Sequence, residues 1–168
     1  MTNPVAPIIY LFFGTGTGTL GTMPFSNASF LISVPTDTSR IITNSNLYPP
    51  GTPMADSARA TSTITILNLG TEAFQISLSV AVLRAGTPNT LKVSLGLAPY
   101  ELLGIASPDL QGYGLNHSLG PISGGVSFAS QPPFPAASGN LVFSSIASAS
   151  FQAIVPGAAT PPKPVPVA

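Results

Sequence analysis

Between Thr61 and Ala98 the chain alternates apolar and polar residues with a period of two. Ile64 and Ile66 alternate with Thr63 and Thr65, and Phe74, Ile76, Leu78, Val80 and Val82 alternate with Gln75, Ser77, Ser79 and Ala81. Leu91, Val93, Leu95 and Leu97 alternate with Lys92, Ser94 and Gly96. Successive side chains of a strand point to opposite faces, so each run reads as a strand with one buried and one wet face. Asn68-Leu69-Gly70-Thr71 and Arg84-Ala85-Gly86-Thr87-Pro88-Asn89 separate the runs with turn-forming residues, which predicts antiparallel hairpins. The expected core has Phe74, Ile76, Leu78, Val80 and Val82 on one side, with Leu91, Val93, Leu95 and Leu97 facing them.

Further strands are expected at Ser29 to Val34, Arg40 to Thr43, Gly125 to Ala129, and in two pieces between Asn140 and Val155. Only Pro99 to Ala106, with Tyr100, Glu101, Leu102 and Leu103, reads as locally helical. Many short strands separated by Gly and Pro turns predict an all-β fold: a single antiparallel β-sandwich, jelly-roll-like, with an extended N-terminal arm and a Pro-rich C-terminal tail. The division is an arm with its hinge over 1–22, a core over 23–155 and a tail over 156–168. With 168 residues the chain fits one domain, and without cysteine it has no disulfide or thiolate site to staple it.

The arm rests on Ile8-Ile9-Tyr10-Leu11-Phe12-Phe13, an apolar run followed by Gly14-Thr15-Gly16-Thr17-Gly18-Thr19. Glycines at 14, 16, 18 and 21 predict a flexible, extensible hinge. Such a strand is expected to complete the sheet of a neighbouring subunit, as in donor-strand pairing, and a head-to-tail contact of that kind generates a fibre. The competing reading is that 4–13 pairs within its own sheet. The segment is far below the roughly 18 residues that span a bilayer, lacks a basic start and holds Pro4 and Pro7, so it reads as neither signal peptide nor anchor. In the tail, Pro161, Pro162, Pro164 and Pro166 predict extended polyproline II.

Charge narrows the partners. Five basic and five acidic residues cancel to zero, against about a quarter charged in ordinary domains. A neutral chain with positive mean hydropathy lacks the self-repulsion that keeps copies apart, so it favours association. Five scattered cations offer no stripe for phosphates, which argues against nucleic acid.

No catalytic constellation is legible. Gly16-Thr17-Gly18-Thr19-Leu20-Gly21 matches the dinucleotide fingerprint, but that fold needs a helix next, and Pro24 breaks the short segment available. His117 is the only histidine, which excludes a multi-histidine metal site, and it reads as a loop residue. The carboxylates are scattered singly. Asp37 with Arg40, and Asp56 with Arg59, read as local ion pairs. Asn27-Ala28-Ser29 and Asn116-His117-Ser118 fit the glycosylation triplet, and Tyr48, Tyr100 and Tyr113 are expected in loops where rings can meet a sugar. No cofactor and no metal are expected.

The short N-terminal connector, and a core in which Thr61-Ser62-Thr63-Ile64-Thr65-Ile66-Leu67-Asn68 runs into Phe74-Gln75-Ile76-Ser77-Leu78-Ser79-Val80, resemble the subunits of bacterial endospore appendages. The resemblance implies a non-catalytic structural subunit that polymerises into a filament on a spore or cell surface. Its partners would be copies of itself, then a surface-anchoring protein or a glycan. Those subunits carry connector cysteines that cross-link the fibre, and this chain has none, so covalent cross-linking is not implied. Two other functions fit the same features: a virion coat or decoration protein, and a carbohydrate-binding or adhesive module.

Overall fold

The computed structural model describes residues 6–43, 53–56, 62–84, 90–97, 100–128 and 134–156. The fold is nearly all β, with two antiparallel sheets packed as a sandwich. Its strands are β1 (Pro7–Leu20), β2 (Met23–Asp37), β3 (Met54–Asp56), β4 (Thr63–Ile66), β5 (Gly70–Ala73) and β6 (Ser79–Arg84). They continue with β7 (Leu91–Leu97), β8 (Tyr100–Ala106), β9 (Leu119–Ser123), β10 (Gly125–Phe128), β11 (Phe134–Ala136) and β12 (Gly139–Ile154). The larger sheet runs β11-β12-β1-β2-β4-β5, with β9 also paired to β12, and the smaller runs β10-β8-β7-β6-β3. One buried cluster joins them, from Ile8, Tyr10, Phe12 and Phe151 in the larger sheet to Val80, Val93, Leu95 and Ile105 in the smaller.

The larger sheet curls until its outer strands meet. Phe74, just past β5, bridges Ala136 of β11, and Gln75 donates its amide to the Pro135 carbonyl at 2.8 Å. The Glu72 carboxylate accepts the backbone amide of Ser138 at 2.8 Å, together with that residue's hydroxyl. Closure of this kind removes the unpaired edge that invites unwanted pairing.

The curl has a local cause. Along the glycine stretch, β12 carries one extra residue between Ser148 and Ile146 and another between Ser145 and Phe143, opposite single steps of β1. On the other side β2 bulges between Ala28 and Phe25, where Asn27 adopts a positive φ of 45° and donates its amide to Thr17 Oγ1 at 3.0 Å. Bulges bend a strand and increase its twist, and glycine lets the backbones approach closely at such a corner.

Several expectations are corrected here. The arm and hinge over 1–22 are not separate from the core: Pro7–Leu20 is one strand, paired along its length to β12 and β2 of the same chain. Of the segment expected to be helical, Pro99 lies outside the described residues and Tyr100–Ala106 is a strand, because β8 is held between β7 and β10 and pairing overrides local preference. An extra residue, Leu102, sits opposite the Leu95/Gly96 step, so Leu102, Leu103, Gly104 and Ile105 are all buried and the period of two is erased. The run from Phe74 to Val82 is not one strand, although Phe74, Leu78, Val80 and Val82 are buried and Ile76 half-buried as expected. β6 and β7 lie side by side, with Val82 opposite Val93 and Val80 opposite Leu95, so the two sets share one sheet rather than facing each other. The two pieces expected after Asn140 form one strand, and Arg40 ends a 3-10 turn with Ile42 making a lone bridge to Met54. Residues 44–52, with Pro49 and Pro50, and the tail beyond Pro156 lie outside the described residues.

Candidate functional site

Placing β1 mid-sheet splits the apolar run by parity. Ile8, Tyr10 and Phe12 are fully buried in the core. Ile9, Leu11 and Phe13 point to the opposite, outer face of the sheet, where each is only partly exposed. Register sets their neighbours: Ile9 lies between Ile154 and Pro35, Leu11 between Gln152 and Ser33, and Phe13 between Ser150 and Leu31. Leu31 is in turn opposite Thr65, whose hydroxyl lies 2.7 Å from that of Thr71 on β5. The face therefore has an apolar centre inside a margin of hydroxyls and one amide, with Asp37 at its end, opposite Pro7. Sequence reasoning found Ile9, Leu11 and Phe13 but missed Leu31. Its signal was present, since Leu31 has apolar residues on both sides, Phe30 and Ile32, which are buried at 3% and 0% while Leu31 itself is 38% exposed.

Gly14, Gly16 and Gly18 form the bent part of β1. Gly21 makes the turn into β2 at φ 62° and donates its amide to the Asn140 carbonyl at 2.9 Å. The fingerprint residues from Gly16 to Gly21 therefore lie in a strand and its turn, and β2 follows at Met23 where a dinucleotide site needs a helix N-terminus.

A loop closes one end of the core. The Tyr10 phenol donates to the Leu115 carbonyl at 2.7 Å in a buried bond, and Tyr113 donates to the His117 carbonyl at 2.8 Å. Burial pushes both phenols well above the ordinary tyrosine pKa, with the nearby Tyr113 adding to the effect on Tyr10. Tyr113 is 5% exposed and packs edge-on against Phe151, so it is structural and presents no ring to a sugar. His117 is exposed, meets Tyr113 edge-on, and its Nδ1 lies 2.8 Å from Asn116 Oδ1. These contacts hold a loop; they give no nucleophile a base. Tyr100 is exposed at 53%, and Tyr48 lies outside the described residues.

The outer face of the smaller sheet carries one polar cluster that the sequence did not reveal. Lys92 Nζ meets Glu101 Oε2 at 3.0 Å, and Ser127 Oγ donates to the same oxygen at 3.2 Å. Glu101 Oε1 is buried with no hydrogen-bond partner among the described residues. The bulge at Leu102 makes Glu101 and Gly104 neighbours on this face, and a β-carbon on Gly104 would stand 2.0 Å from Oε1. Recognising β8 as a strand was the missing step, since Lys92 and Glu101 then sit on adjacent strands. Asp37 uses its carboxylate to accept the Ser39 amide at 2.9 Å at the start of a 3-10 turn. Arg59 lies outside the described residues. Among the described residues no three His, Cys, Asp or Glu side chains converge on a metal site, and no helix is long and apolar enough to cross a membrane.

No protein-family model, no curated protein and no solved structure matches this chain.

Proposed function

We propose that the protein is a non-catalytic structural subunit that assembles with copies of itself. One observation carries this reading. The three longest strands, β1, β2 and β12, with 14, 15 and 16 residues, contain a single charged residue between them, Asp37 at the end of β2. The surface of an ordinary soluble domain carries about 25–35% charged residues of both signs. A broad sheet almost without charge, on a chain of zero net charge, is built to be covered.

The assembly is a filament or a shell. The resemblance to spore appendage subunits supports a filament on a spore or cell surface, and a virion coat or decoration protein is the alternative assembly. The N-terminal strand is not the exchanged element in this reading, because it is the central strand of its own sheet. The connector that suggested exchange is thereby absorbed into the core, and contacts between intact sheets replace it. Negative-stain microscopy and light scattering of purified protein test the proposal. Fibres or closed particles are the expected result, and a monomer at every concentration overturns it.

A further inference from the structure

We draw no further inference here: the strongest candidate, the Lys92, Glu101 and Ser127 cluster on the outer face of the smaller sheet, carries nothing, because Glu101 Oε2 is already taken by Lys92 and Ser127, the unpartnered Oε1 lies against Gly104, and no second feature beside the cluster points to a ligand.

Discussion

A β-carbon on Gly14 would stand 2.0 Å from the carbonyl oxygen of Ser148, its near neighbour across the ladder on β12. The glycine is there because two backbones touch, not because the chain needs to swing. In a flexible hinge, Gly→Ala is harmless or stabilises by about 0.4–1 kcal/mol. Here Gly14→Ala should destabilise by at least about 1–3 kcal/mol, the range for overpacking a tight contact. Denaturant midpoints separate the two cases by sign.

Deleting residues 2–13 removes half of the central strand, including Ile8, Tyr10 and Phe12, each fully buried. Loss of a large buried side chain costs about 2–5 kcal/mol, comparable for three of them with the whole stability of a domain. The truncated chain should show no cooperative melt. A truncated protein that unfolds cooperatively, with native tyrosine circular dichroism, would show that the arm is dispensable to its own core.

The buried phenols of Tyr10 and Tyr113 predict an alkaline limit. Burial raises both above the value near 10 that an unfolded tyrosine has. Below that value both states hold their phenolic protons and stability does not change through these groups. Above it the unfolded chain loses them while the folded chain keeps them, so stability falls as pH rises, by about 1.4 kcal/mol per pH unit for each tyrosine. Tyr10→Phe leaves the Leu115 carbonyl without its donor and should cost about 1–3 kcal/mol at neutral pH. The same variant should show a shallower loss above pH 10. An unchanged alkaline slope would show that Tyr10 ionises freely in the fold.

The all-β class, the antiparallel hairpins and much of the core were legible because Ile64, Ile66, Val80, Val93 and Leu95 sit on strands whose period of two is undisturbed. Where the ladder carries an extra residue, the pattern failed. The bulge at Leu102 made β8 look helical, and the extra residues in β12 made one strand look like two. Gly14 to Thr19 misled in a different way: glycine repeats in a hinge and at a tight sheet corner read alike, and only the paired strands tell them apart. The Lys92 and Glu101 pair was invisible for the same reason as β8, since it exists only once both residues are on neighbouring strands.

Glu101 is held by one cation and one hydroxyl, with its second carboxylate oxygen unpaired among the described residues. Lys92→Met strands that charge and should cost about 1–3 kcal/mol, reduced toward the lower figure because both side chains keep some solvent contact. Adding Glu101→Gln removes the stranded charge and should recover most of the loss, since removing both members of a pair is milder than removing one. Additive losses in the double variant would show that the two residues act independently.

The last strand of the sequence, β12, lies beside the first, with Ile154 opposite Ile9. During synthesis β1 and β2 emerge early and pair with one another, but the remaining edge of β1 has no partner until more than a hundred further residues have been made. Native contacts so distant along the chain slow folding, and an unpaired edge exposed in the meantime is prone to capture by other chains. Newly made chains therefore depend on swift completion of the polypeptide, or on chaperones that shield the waiting edge.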